Sequence, residues 1–135
     1  MSDLLLDTHI ALWWQLDPRQ LSRRAVQEID RADTLWVSPM TIWEIVTLER
    51  AAKIRLDRDP VTWVGGLMTQ DRVQLAELTA AAATEAALLP LKGFRGDLVD
   101  RFLYATAATQ RLRFCTKDGL IERYAHEAQE IVIVW

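Results

Sequence analysis

A chain of 135 residues, half of them hydrophobic and 26% charged, has the composition of one globular domain with a buried core, which excludes a disordered or fibrous segment. The single cysteine, Cys115, excludes an internal disulfide and fits a buried thiol in a reducing, cytoplasmic setting. A formal net charge of −3 argues against gripping nucleic acid by bulk positive charge, so a polynucleotide would need a local basic rim, a metal ion or a partner chain. No apolar run approaches the roughly 18 residues of a membrane span. Asp7 interrupts the apolar start and no basic residue precedes it, which argues against a targeting peptide.

Short apolar runs alternate with stretches of helical period. Residues 3–6 are expected as a first strand, followed after Asp7 by a helix through Trp14 that Pro18 breaks. Ser22 precedes a second helix with Ala25, Val26 and Ile29 on its apolar face. Residues 34–37 predict a second strand, and after Ser38-Pro39 a helix runs from about Thr41 to Ala52. Asp59-Pro60 is an N-cap followed by proline at the first helical position, opening a helix with Trp63, Val64 and Leu67. Val73, Leu75 and Leu78 suggest a short third strand, and an alanine-rich helix over 80–89 ends ahead of Pro90. Residues 91–96 are expected as a loop. From Asp97 to Arg111 the pattern is helical, with Leu98, Phe102, Ala105 and Thr109 along one side. Residues 112–115 predict a strand, 119–127 a short helix, and 131–134 a buried closing strand. The order predicts an α/β fold with a central parallel sheet of about five strands flanked by helices.

In such sheets ligands bind beyond the carboxyl ends of the strands. Asp7 directly follows the first strand and Asp118 follows the 112–115 strand, so both belong at one sheet edge if those strands are parallel neighbours. Glu44 and Asp100 are expected in the first turns of helices that open onto the same edge. Four carboxylates in one crevice repel by roughly 1 kcal/mol per pair at 4 Å in water and several-fold more at lower dielectric, unless protons or a cation offset the charge. An oxygen-only donor set without a His or Cys cluster suits Mg²⁺ or Mn²⁺. Such a cation can activate water and neutralise a phosphoryl transition state, which points to phosphodiester hydrolysis.

Each carboxylate also has a purely structural explanation. Thr41-Ile42-Trp43-Glu44 fits a capping box, Asp97 after Gly96 fits a helix cap with Asp100 favouring the helix dipole, and Asp118-Gly119 fits a turn. Asp7 is the hardest to dismiss, because a charge directly after a buried strand needs a reason.

Considered together, these segments resemble the PIN-domain nucleases, and most closely the VapC-type toxins of toxin–antitoxin pairs. The resemblance runs nearly end to end. It rests on Leu4-Leu5-Leu6-Asp7-Thr8-His9 with Trp13-Trp14, on Ser38 through Ile45, and on Leu89-Pro90. It continues through Asp97-Leu98-Val99-Asp100-Arg101 and Cys115-Thr116-Lys117-Asp118 to Tyr124 and the final strand. It implies one PIN-like domain over residues 1–135, with Asp7, Glu44, Asp100 and Asp118 as an acidic quartet binding Mg²⁺ or Mn²⁺. It further implies RNA cleavage, dimerisation and inhibition by a cognate antitoxin, with Thr8 and Thr116 matching hydroxyl positions beside the quartet. Close relatives often carry Asp-Pro-Phe-Asp-Arg preceded by a histidine, whereas here Leu98-Val99 replace Pro-Phe and residues 92–96 hold no histidine. That departure bears on Asp97, which fits a helix cap better than an extra ligand.

Other features compete less well. His9 and His126 could form an acid–base pair, although nothing in their placement requires contact. The six tryptophans are expected mainly as core or interface anchors, and the patches Arg19-Arg23-Arg24 and Lys53-Arg55-Arg58 could supply a basic rim. A haloacid-dehalogenase-type phosphatase would want a second aspartate where His9 stands, and a non-catalytic interaction module would have no use for the quartet.

Overall fold

Residues 3–135 are described by a computed structural model. Strands β1 (Asp3–Leu6), β2 (Thr34–Val37), β3 (Val73–Leu75), β4 (Arg113–Cys115) and β5 (Ile133–Val134) form one sheet in the order β3-β2-β1-β4-β5. Every neighbouring pair is parallel. The helices are α1 (Thr8–Leu16), α2 (Arg23–Arg31), α3 (Pro39–Arg50), α4 (Pro60–Met68), α5 (Ala80–Leu88), α6 (Leu98–Gln110) and α7 (Gly119–Ala128). Short 3₁₀ turns occupy 18–20 and 89–92. The expected α/β class and the expected strand sequence are both observed.

The central strand explains why an unbroken apolar run was needed. Leu4, Leu5 and Leu6 are all fully buried because helices cover both faces of the sheet. Leu4 and Leu6 pack with Ile10, Ile29, Ile45, Trp63 and Leu67 from α1 to α4. Leu5 points the other way, into Ala82, Leu103, Tyr104, Ile121 and Ala125 from α5 to α7. Each such leucine contributes roughly 1.5–3 kcal/mol relative to exposure, so two cores hold one sheet from opposite sides.

Several expectations shift. Helix α3 begins at Pro39, capped by Ser38, whose hydroxyl accepts from the Met40 N–H at 3.0 Å. Thr41 is therefore inside the helix and fully buried, and Glu44 lies in the second turn, so the Thr41–Glu44 capping box does not form. In α2, Val26 is exposed while Ala25 and Ile29 face the core. In α6 the buried stripe runs through Val99, Leu103, Tyr104, Ala105, Thr106 and Ala107, leaving Leu98 half exposed and Thr109 at the surface. The last strand is a two-residue edge strand with Val132 outside it and 54% exposed, rather than four buried residues. Leu78 lies beyond β3. No described helix is long and apolar enough to cross a membrane.

Candidate active site

The chain runs from β1 outward to β2 and β3, then returns to β4 on the other side of β1. Loops leaving β1 and β4 diverge, and the crevice between them is where an open α/β sheet accommodates a ligand. Asp7 and Asp118 sit at that point. The Asp7 N–H continues the ladder by donating to the Cys115 carbonyl at 3.0 Å, so the aspartate is fixed where β1 ends and α1 begins.

Three of the four expected carboxylates belong to helix N-termini that open on this crevice. Asp7 caps α1, its Oδ1 accepting from the Thr8 N–H at 2.7 Å. Asp118 caps α7, its Oδ1 accepting from the Leu120 and Ile121 N–H groups at 2.8 and 3.0 Å. Asp100 lies in the first turn of α6 in a reciprocal capping box: its N–H donates to Asp97 Oδ1 at 2.9 Å, and its Oδ2 accepts from the Asp97 N–H at 3.1 Å. The positive ends of three helix dipoles thus face the same acidic cluster and offset part of its repulsion.

The threonines divide their work. Thr116 donates its hydroxyl to Asp7 Oδ2 at 2.6 Å and accepts from the Asp118 N–H at 3.0 Å, tying two of the carboxylate-bearing turns together. The Thr8 hydroxyl points elsewhere, donating to Thr41 Oγ1 at 3.4 Å in a buried contact between α1 and α3. Thr8 supports Asp7 through its backbone only.

Asp7, Glu44, Asp97, Asp100 and Asp118 line one cavity of about 430 Å³, together with His9, Ile10, Trp13 and Lys117. Burial raises the Asp7 carboxyl above its ordinary range, opposed by the Thr116 and Thr8 hydrogen bonds and reinforced by the Glu44 charge. Asp100 is pushed up to about 7, first by burial and then by the Asp97, Asp7 and Asp118 charges. Among the described residues no three His, Cys, Asp or Glu side chains already stand as a ready-made cation cage. The lining residues nevertheless keep uncommitted oxygens: Asp118 Oδ2, Asp100 Oδ1 and both Glu44 oxygens accept no protein hydrogen bond among the described residues.

His9 is exposed at this cavity, whereas His126 lines another beside α7 and β5, so the two imidazoles do not form a pair at one site. Cys115 is fully buried, and burial pushes its thiol up to about 12, which suits an inert core group. The basic patches at 19–24 and 53–58 do not line the cavity. Its basic residue is Lys117, missed because a lone lysine between two motif residues carries no pattern of its own.

The sequence profile of the PIN domain matches residues 4–127. Ribonuclease VapC22 of Mycobacterium tuberculosis (strain ATCC 25618 / H37Rv) is 35% identical over 135 residues, which is 100% of both chains. This chain belongs to the PIN domain family, in its VapC-type branch. Solved structures share the fold at much lower identity. VapBC2 from Rickettsia felis, bound to a DNA fragment from its promoter, superposes with a TM-score of 0.67 at 11% identity, covering 97% of this chain and 96% of that one. VapC20 of Mycobacterium tuberculosis, a sarcin–ricin loop cleaving toxin, gives 0.63 at 16% identity over 90% of this chain and 94% of that one.

Proposed function

We propose that this VapC-type PIN domain, spanning residues 1–135, is a divalent-metal-dependent endoribonuclease whose site is formed by Asp7, Glu44, Asp100 and Asp118. The observation that carries the reading is the lining of one cavity by these four carboxylates, drawn from four separate elements at the β1/β4 crevice. The RNA substrate is carried by the whole-length relative named as a ribonuclease.

The donor chemistry fits a hard cation: carboxylate oxygens only, with uncommitted oxygens on Glu44, Asp100 and Asp118. A bound Mg²⁺ or Mn²⁺ would supply Lewis acidity, lowering the pKa of water and offsetting charge on the phosphoryl group. The protein's own part is positioning. Thr116 and the Thr8 N–H fix both oxygens of Asp7, and the cap of α7 fixes Asp118. Asp97 orients Asp100 through the α6 box and is a helix cap in this reading, not a ligand. Water attack on phosphorus leaves a 5′-phosphate on the downstream fragment, whereas attack by the RNA 2′-hydroxyl leaves a 2′,3′-cyclic phosphate.

Structural neighbours described as a toxin–antitoxin complex or system extend the proposal to neutralisation by a cognate antitoxin protein. A homodimer acting in the cytoplasm is the further expectation carried over from the resemblance. A panel of defined RNAs incubated with Mg²⁺, Mn²⁺ or EDTA tests the enzymatic reading. Cleavage with either metal, none in EDTA, and 5′-phosphate ends are expected; persistent cleavage in EDTA or cyclic-phosphate ends would overturn it.

A further inference from the structure

Five carboxylates line the cavity, and a phosphodiester entering it brings more negative charge into a protein that is already net negative. The counterweight from this chain is Lys117, the basic residue on the cavity lining. Its backbone sits in the Thr116–Asp118 turn, where the Thr116 hydroxyl grips Asp7 and the Asp118 N–H.

The ammonium makes no ion pair with its acidic neighbours: among the described residues no carboxylate oxygen lies within ion-pair distance of Lys117. Lys117 Nζ stands instead 5.6 Å from the Trp13 ring centroid and 5.7 Å from that of Trp135. The two indoles are 6.2 Å apart and inclined by 48°, so they lie side by side and hold the cation from one side, leaving its other side open. Ring quadrupoles attract an ammonium without consuming its N–H donors. The lysine is exposed and Trp13 lines the same cavity, so those donors stand restrained at its edge.

We propose that Lys117, held by Trp13 and Trp135, is a positioning residue that binds a phosphate of the RNA strand next to the one cleaved. The inference rests on the ribonuclease reading above, and it assigns to two tryptophans a role other than core filling. A flexible lysine loses much rotamer freedom on engaging a phosphate, and the contact with two adjacent indoles lowers that loss in advance.

The test separates binding from chemistry. Affinity of a short fluorescein-labelled single-stranded RNA is measured by anisotropy in EDTA across a KCl series, for the whole chain and for Lys117→Met, Lys117→Arg and Trp13→Leu. Lys117→Met is expected to weaken binding about tenfold, as loss of one charge-assisted hydrogen bond does. It should also lower the slope of log Kd against log salt by about 0.7, the contribution of one phosphate contact on a single strand. Lys117→Arg should restore both. Trp13→Leu, checked for folding by its melting temperature, should weaken binding about threefold with the salt slope intact, because the charge remains. With Mg²⁺, the Lys117→Met change should fall on KM, with kcat within about threefold. Unchanged affinity and slope in Lys117→Met, or an arginine variant as weak as the methionine one, would overturn the subsite. RNA binding that depends on Lys117 without any cleavage defeats the ribonuclease reading and leaves the subsite standing. Cleavage with no Lys117 effect does the reverse, and no RNA binding by the unaltered protein in EDTA together with no cleavage in Mg²⁺ or Mn²⁺ defeats both.

Discussion

Asp7 shows how one residue acquires two duties. It ends a fully buried strand and caps a helix, so its backbone position is set by folding, yet burial leaves its carboxylate above its ordinary pKa and beside Glu44. What sets Asp7 apart from the acidic caps Asp59 and Asp97 is burial of its carboxylate, where an asparagine would cap about as well without the charge. Asp7→Asn is therefore expected to leave the metal-free melting temperature unchanged or raised while reducing RNA cleavage by about 100-fold or more, read from thermal melts and initial rates. Asp100 gives the matching pH dependence. Its folded pKa of about 7 lies above the ordinary 3.8, so between those values the folded protein holds a proton that the unfolded chain has released. The contribution of Asp100 to the stability of the metal-free protein is thus full below about pH 4 and is lost as pH rises toward 7. Allowing for solvent screening of a partly exposed group, the loss is about 1–2 kcal/mol. Asp100→Asn, whose amide oxygen can still accept from the Asp97 N–H, should flatten that fall; an unchanged pH profile in denaturant melts would assign it to other groups.

At the scale of elements, legibility followed the strength of the local signal. Strand ends placed Asp7 and Asp118 correctly, because a three-leucine run and a Cys115-Thr116 terminus leave little freedom in register. The start of α3 was misread although Ser38-Pro39 has the same cap-then-proline form as Asp59-Pro60, which was read correctly. With that start corrected, Thr41 joins the core and Glu44 has no capping role left to explain it. The buried face of α6 was misjudged because the helix packs on α5 as well as on the sheet, so its apolar stripe is broad and rotated away from Leu98. The turn ahead of α6 carries its own constraint. A Cβ on Gly96 would strike the Phe94 ring and stand 2.7 Å from the Asp100 Cβ. Gly96→Ala should cost about 1–3 kcal/mol and misplace Asp100, lowering both melting temperature and cleavage. Asp97→Ala, which removes the cap and one charge beside Asp100, should cost about 1 kcal/mol and reduce cleavage less than Asp100→Asn does.

For the whole molecule, the sheet order decides which distant segments meet. A sequence with α/β alternation predicts parallel strands, but it is the observed order β3-β2-β1-β4-β5 that puts β1 beside β4 and brings residues 7 and 118 to one crevice. Lys117 and Trp13 became recognisable at this scale alone, since cation–π contacts between a strand-end turn, a helix and the last residue leave no trace in local pattern. The three helix N-termini that face the cavity hold a charge cluster that the fold tolerates and a cation would relieve. Mg²⁺ or Mn²⁺ at about 100 times its dissociation constant at pH 8 should accordingly stabilise the protein by roughly 2.7 kcal/mol, and the same concentration should stabilise it less at pH 5 because the carboxylates must be ionised. The most direct measurement pairs Mn²⁺ titration calorimetry with RNA cleavage rates for the unaltered chain and for Asp7→Asn, Glu44→Gln, Asp100→Asn and Asp118→Asn. Weakened Mn²⁺ binding together with at least about 100-fold slower cleavage is expected in all four, each still folded; full activity in any one of them, or undiminished cleavage in EDTA, would contradict a shared four-carboxylate cation site.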